Sequence, residues 1–231
     1  MKSHIQFGAS RIDFDLEFCE RKTLGITVTP DLNILVKAPE GVSVEKIHEK
    51  LKKKAPWIIK QKSFFLSFVP RTPPRRYVSG ETHLYLGRQY RLKIEKSDEG
   101  GVKLKGHFLL VSTSDASNAK RLVNDWYLRK AKDKFHSTAR PLIERFKKYE
   151  VEPDAFVVRE MHLRWGSCTP TGKIILNPEL IKAPTACIEY VIVHELCHLV
   201  YHDHSRKFIE LQSKEMPDWQ KWKTKLERLL A

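Results

Sequence analysis

The sequence predicts an α+β protein whose N-terminal part is rich in antiparallel strands and whose C-terminal part is mainly helical. Three observations support this fold class. Short β-rich runs separated by turn residues fill most of the first 112 residues. Apolar residues recur with a helical period in much of the remainder. A segment typical of a β-hairpin lies between two helices of that second part.

Residues 1–112 are interpreted as a β-rich accessory portion with one long helix. RIDFDLEF alternates apolar and polar residues, and LGITVTPDLNILVKAP contains two β-rich runs joined by a turn. A helix is expected over residues 43–69, before the proline-rich segment PRTPPRRY breaks it. GETHLYLGRQYRLKIEK and VKLKGHFLLVST then predict two hairpins with glycine at or near each turn.

Residues 113–231 are interpreted as a second domain. A long helix is expected over 117–149, followed by a strand in AFVVREM and a hairpin in RWGSCTPTGKIILN. Pro184 suits the first turn of the next helix, which carries a cluster of histidines. Ser205 can cap a further helix, and Pro217 can begin the last one.

The net charge of +14 is concentrated in two basic segments. Residues 37–76 contain eleven Lys and Arg against three Glu, and residues 117–150 contain ten against four acidic residues. A basic surface of this size can attract nucleic acid, nucleotides or an anionic membrane, or it can serve only to keep the protein soluble. Nucleic acid is therefore an expected partner class of these two segments.

The sequence has no pattern typical of secretion or of a membrane span. No apolar run is long enough to cross a bilayer, and the N-terminal residues lack the apolar core of a signal peptide. The four cysteines form neither a C-x-x-C pair nor a dense framework, which argues against disulfides and a cysteine-ligated zinc ribbon. A cytoplasmic location is expected.

An H-E-x-x-H sequence at residues 194–198 predicts a metal site. On a helix, His194 and His198 lie one turn apart on the same face, so that both imidazoles can bind one ion. Glu195 lies beside that face, where it can reach a water molecule at the metal. The apolar segment IEYVIV before the motif is expected to bury the back of the helix.

A catalytic zinc ion requires three protein ligands and one open position. His202 continues the spacing of four, but it lies about 12 Å from His194 along a straight helix, too far to share one ion. His204 can reach the site if the helix ends between residues 201 and 203 and the chain turns back. A glutamate of the helix over 205–215 is the next candidate for the third ligand, and His202 comes last.

These motifs together resemble the YgjP-like predicted metal-dependent hydrolases. The resemblance lies in RWGSCT-x-x-G-x-I-x-LN, I-x-Y-V-x-V-HEL-x-HL, HS-x-x-F and an upstream Y-V-S-G-E-x-x-x-Y-L-G-R-x-Y-R-L. It implies a minimal zincin-type metallopeptidase domain, related to the SprT-like and WLM proteins. It also implies one zinc ion, or another divalent metal, bound by His194, His198 and His204, with Glu195 as the catalytic acid/base.

The expected activity is hydrolysis of a peptide bond by a water molecule that Glu195 deprotonates. Arg164, Tyr201 and His162 are candidate contacts for the substrate or the developing oxyanion, and the sequence does not separate them. The same site could instead hydrolyse a phosphoanhydride in a nucleotide. A third alternative is a DNA-associated protease held on nucleic acid by the basic helices.

Overall fold

The α+β fold class is confirmed by a computed structural model with five α-helices and three small mixed sheets among the described residues. The chain divides into two compact units, Met1–Pro73 and Pro74–Leu230. No helix within the described part is long and apolar enough to cross a membrane. The structure describes residues 2–8, 10–29, 32–66, 75–161 and 164–230.

The first unit packs one sheet against one helix. Its sheet has the order β1-β2-β4-β3, with every second residue of β4 buried. Buried Ile47, Leu51, Ala55 and Ile58 form the inner stripe of α1 and share the core of the sheet. The elements are β1 (Lys2–Phe7), β2 (Ser10–Cys19), β3 (Gly25–Val28), β4 (Ile34–Pro39) and α1 (Val44–Leu66). The helix predicted over 43–69 is thus confirmed up to residue 66, and residues 67–69 lie outside the described ranges.

The second unit begins with a sheet of the same topology, in the order β5-β6-β8-β7, followed by the long helix α2. In both four-stranded sheets two antiparallel hairpins lie side by side, so that their inner strands pair in parallel. The elements are β5 (Thr82–Tyr85), β6 (Arg88–Lys96), β7 (Gly101–Lys105), β8 (Phe108–Thr113) and α2 (Ala119–Phe146). The parallel pairs differ from the purely antiparallel expectation because alternation along a strand fixes its faces but not the direction of its neighbour.

The domain boundary predicted between residues 112 and 113 does not coincide with the division between the two units. Leu92, Leu109 and Val111 of the second sheet lie in the same core as Val123 and Trp126 of α2. These strands therefore bury their apolar face within the unit that also holds the histidine cluster. The predicted accessory portion is correspondingly shorter, and the two hairpins belong to the second unit.

The rest of the second unit surrounds one central helix. The predicted hairpin is confirmed as β10 and β11, and β9 extends it to a sheet of order β10-β11-β9. The helix α3 is apolar on most sides and contacts α2, α4, α5 and β10. The elements are β9 (Ala155–Val158), β10 (Gly166–Cys168), β11 (Lys173–Leu176), α3 (Thr185–Val200), α4 (Arg206–Glu215) and α5 (Trp219–Leu230).

Candidate metal centre

Helix α3 carries the H-E-x-x-H sequence in its last two turns. Pro184 stands at its N-cap position, and Ile188 and Ile192, which precede the motif, are fully buried. The helix ends at Val200 because Tyr201 adopts an extended conformation, with φ −132° and ψ 112°. The chain therefore leaves the helix direction in the segment that the sequence predicted.

Three imidazoles converge where the chain turns back. One nitrogen of each of His194, His198 and His204 lies within 4.8 Å of the corresponding nitrogens of the other two. The Nε2 atoms of His194 and His204 are 3.1 Å apart. Two nitrogens bound to one tetrahedral zinc ion are about 3.3 Å apart, given zinc–nitrogen bonds of about 2.0 Å. The three side chains thus fit the donor set of a divalent metal of the zinc class.

Hydrogen bonds at the far side of two imidazole rings set the orientation of the nitrogens that converge. His198 Nδ1 donates to the carbonyl oxygen of Tyr201 at 3.1 Å, and because that oxygen can only accept, Nε2 keeps its lone pair. His194 Nδ1 lies 3.0 Å from Oε1 of Gln212 on α4, in the same arrangement. Burial lowers the pKa of His194 to about 4 and also lowers that of His198. Both rings are therefore neutral near pH 7, which is the form that binds metals.

Two buried residues of α4 support the histidines from the other side. Phe208 is fully buried, and its ring lies with its centroid 4.6 to 5.0 Å from the three imidazole centroids. Gln212 follows one turn later, is 1% exposed, and supplies the acceptor for His194. The motif HS-x-x-F in the sequence contains Phe208, whereas nothing in the sequence singles out Gln212. Its spacing of four from Phe208 on the same helix face is the one signal that could have identified it.

Glu195 lies beside the histidines and against strand β10. Glu195 is only 5% exposed, and this burial raises the pKa of its carboxyl group to about 7. The backbone N–H of Cys168 and the positive charge of Arg164 act against this increase, because both favour the ionised carboxylate. A Cβ atom at Gly166 would lie 2.5 Å from Oε1 of Glu195, so that the absence of a side chain there makes room for the carboxylate.

A groove of about 630 Å³ opens over this cluster. Strand β10 and the turn after it line one side of the groove, and the histidine region lines the other. The lining residues are Arg164, Gly166, Ser167, Cys168, Thr169, Pro170, His194, Glu195, His198, His202 and His204. Arg164 is thus at the site, and His202 faces the same groove without joining the three converging nitrogens.

The other residues singled out in the sequence lie elsewhere. Tyr201 contributes its backbone carbonyl to His198 and does not line the groove. His162 lies outside the described residues. The glutamates considered as third ligands have other partners, since Glu210 pairs with Arg206 and Glu215 pairs with basic residues of the α2 region. Ser205 occupies the N-cap position of α4, as predicted, but its hydroxyl accepts no capping hydrogen bond.

Comparison with known proteins places the chain in a family. A solved structure, the metallopeptidase zymogen of Pyrococcus abyssi abylysin, is similar to 40% of this chain and 94% of its own, with 21% identity and a TM-score of 0.36. No curated protein is detectably similar in sequence. The sequence model of the YgjP-like metallopeptidase domain matches residues 22–229, which is most of the chain. The protein therefore belongs to the YgjP-like metallopeptidase family and is a metal-dependent hydrolase.

Proposed function

We propose that the protein is a zinc metallopeptidase in which His194, His198 and His204 hold the metal and Glu195 is the catalytic acid/base. The observation that carries the proposal is the convergence of the three imidazoles, within 4.8 Å, beside a buried carboxylate at the bottom of an open groove. Structural zinc sites are closed by four protein ligands, whereas a catalytic site keeps one position open. Three histidines and a neighbouring glutamate correspond to the catalytic kind.

Zinc bound there would supply a Lewis acid that polarises the scissile carbonyl and lowers the pKa of a water molecule. Glu195 would accept the proton of that water at its carboxylate and transfer it to the nitrogen of the leaving amine. Close packing against Gly166 holds this carboxylate in place, and the backbone N–H of Cys168 favours its ionised form. Arg164, at the edge of the groove, would donate to an oxygen of the substrate.

Strand β10 offers a binding surface for an extended peptide. It stands at the end of the strand order β10-β11-β9, and all three of its residues line the groove. A substrate that adds a strand at this edge would satisfy main-chain groups of β10 and bring one of its peptide bonds over Glu195. The proposal of a peptide substrate rests on this combination of an edge strand and the histidine cluster.

The substrate class can be tested with peptide and nucleotide pools in parallel. Zinc-loaded protein is incubated with a peptide mixture and with the four nucleoside triphosphates, with chelated protein and His198→Ala as inactive controls. We expect peptide cleavage that chelation abolishes and zinc restores. Chelator-sensitive release of phosphate or pyrophosphate, with no peptide cleavage, would contradict a peptidase.

A nucleotide hydrolase is the second candidate, and one observation favours it. Among the residues that line the groove, Glu195 is the single carboxylate, whereas Arg164 is a permanent cation. Such a groove can bind an anionic substrate, and guanidinium groups are well suited to phosphate oxygens. In the parallel assay above, Arg164→Gln would raise the KM for a nucleotide more than that for a neutral peptide if phosphate binding were the function of this residue.

A further inference from the structure

The outer surface of helix α1 carries a line of basic residues with one exposed aromatic ring. Lys46, Lys50, Lys53, Trp57 and Lys60 follow one another at steps of three or four residues, which places them along one side of the helix. All five residues are exposed, and Trp57 is 42% exposed. At 1.5 Å per residue the line extends over about 21 Å.

The lysines of this line have no anionic partner within the described residues. The helix contains seven lysines and two glutamates, and none of these lysines takes part in an ion pair of the part of the chain that the structure describes. Because these lysines have no ion-pair partner within the described ranges, this side of the helix forms a strongly positive surface. Trp57 is the fourth of the five residues of the line and lies three or four positions from Lys53, Lys54 and Lys60.

We propose that this face of α1 binds single-stranded nucleic acid, with the lysines at the phosphates and the Trp57 ring stacked on a base. A basic track interrupted by an accessible aromatic ring is the combination that binds single strands without sequence preference. Charge complementarity selects a polyanion, and the exposed indole selects one whose bases are unpaired. This surface differs in chemical character from the groove, and the proposal does not depend on the hydrolytic activity.

An anionic membrane fits the same helix less well. A helix that lies in a membrane interface inserts an apolar face, but the apolar stripe of α1 is buried against its own sheet through Ile47, Leu51 and Ile58. The exposed apolar residues Trp57 and Ile59 are two positions apart and point to different sides of the helix. Among the α1 side chains that the structure describes, residues 44–62, no continuous apolar face remains for insertion.

The test measures fluorescence anisotropy of labelled single strands of roughly 20 nucleotides, oligothymidine and oligouridine, over a salt series with the full-length protein. The matched variants are Lys50→Gln/Lys53→Gln on the line and Lys103→Gln/Lys105→Gln on exposed positions of β7, which remove the same charge. Each lost phosphate contact makes the plot of log K against log salt shallower by about 0.7 for single strands. We expect the slope to fall by about 1.4 in the α1 variant and to stay unchanged in the β7 variant.

A third variant separates stacking from charge. Trp57→Leu should weaken binding about 5-fold or more while leaving the salt slope unchanged, because it removes a stacking contact and no charge. Equal slopes for the two lysine variants, or full affinity of Trp57→Leu, would overturn the proposal. Binding to phosphatidylserine vesicles without binding to either oligonucleotide would overturn it as well, in favour of a membrane surface. Thermal melting of each variant verifies that the fold is kept.

Discussion

Gln212 connects His194, a proposed metal ligand, to a different helix. Its Oε1 accepts from His194 Nδ1 at 3.0 Å, and its Nε2 is buried without a hydrogen-bond partner among the described residues. Burying an amide nitrogen without a hydrogen-bond partner is energetically unfavourable. The hydrogen bond that Oε1 accepts from His194 therefore has to offset this cost. Partners of this kind fix the tautomer and orientation of a metal ligand.

Gln212→Met is expected to weaken zinc affinity by about 10- to 100-fold, because the thioether has a similar volume but cannot accept from His194 as the amide does. Gln212→Glu should restore most of the affinity, since a carboxylate accepts the same hydrogen bond. Competition with a chromophoric chelator measures both. Gln220→Met, at an exposed position of α5, is the control. If the Met and Glu variants lose equal affinity, the hydrogen bond does not orient the ligand.

Gly166 is the residue that makes room for Glu195. A Cβ there would lie 2.5 Å from Oε1 of Glu195 and 2.8 Å from Cγ1 of Val191. Gly166→Ala should therefore displace the carboxylate and reduce hydrolysis by about 100-fold, the usual cost of misplacing a catalytic group by about 1 Å. Gly100→Ala is the matched control, because a Cβ at that position meets nothing within 4 Å. Zinc content equal to that of the wild type, with the activity lost, is the expected result, whereas full activity of Gly166→Ala would contradict the placement.

At the scale of elements, the end of α3 decides which histidine joins the proposed metal centre. The helix stops at Val200, and His204 returns to the cluster, whereas His202 remains at the groove without joining the three nitrogens. His204→Ala should lower zinc affinity by at least about 100-fold, since a ligand is lost from a site of three. His202→Ala should leave it within a factor of about three. Equal losses in both variants would mean that the turn after α3 differs from the one described.

The contact between the α2 region and α4 depends on Glu215. The carboxylate accepts from Tyr149 Oη at 2.5 Å and pairs with Lys148 at 2.9 Å and Arg145 at 3.1 Å, while its side chain is 3% exposed. Burial alone would raise the pKa of Glu215, but the hydrogen bonds from Tyr149 and Lys148 and the two positive charges outweigh it and lower the pKa. These interactions of Glu215 therefore stabilise the fold when the carboxylate is ionised.

A pH dependence follows from this lowered pKa. The stabilisation by Glu215 is present above the unfolded pKa of about 4.3 and is lost as the pH falls through the lower folded pKa. Glu215→Gln should reduce the free energy of unfolding by about 2 kcal/mol at pH 7, the usual range for hydrogen bonds to a charged group. The difference from the wild type should shrink below pH 4. Urea unfolding in the presence of chelator measures it, and a difference of the same size at both pH values would contradict this role.

Local sequence patterns predicted most elements but not their pairing. The helix through the histidines and the hairpin β10–β11 follow from apolar spacing and turn residues, both local signals. The parallel pair of β6 and β8 joins residues from different hairpins, and no local signal specifies it. The same holds for the contact of Gln212 with His194, eighteen positions apart, which depends on how α4 packs on α3. H-E-x-x-H, in contrast, places its ligands within one turn.

At the scale of the molecule, each unit begins with the same arrangement of two hairpins and a helix. In the first unit this arrangement has its own core around Val36 and Leu51, and in the second it is part of the core that supports α3. The boundary predicted from the sequence followed the change from strands to helices, whereas the actual division follows the two cores. The basic line on α1 and the histidine cluster consequently belong to different units, so that their variants should act independently.

In the proposed metal centre, which three histidines hold, the role of Glu195 as acid/base is the one on which hydrolysis depends most. It is tested most directly by measuring peptide hydrolysis and zinc content together for Glu195→Gln. We expect the variant to bind one equivalent of zinc and to melt within a few degrees of the wild type, but to hydrolyse peptides about 100- to 10,000-fold more slowly, because proton transfer is lost. A variant that retains both zinc and the wild-type rate would contradict this role of Glu195.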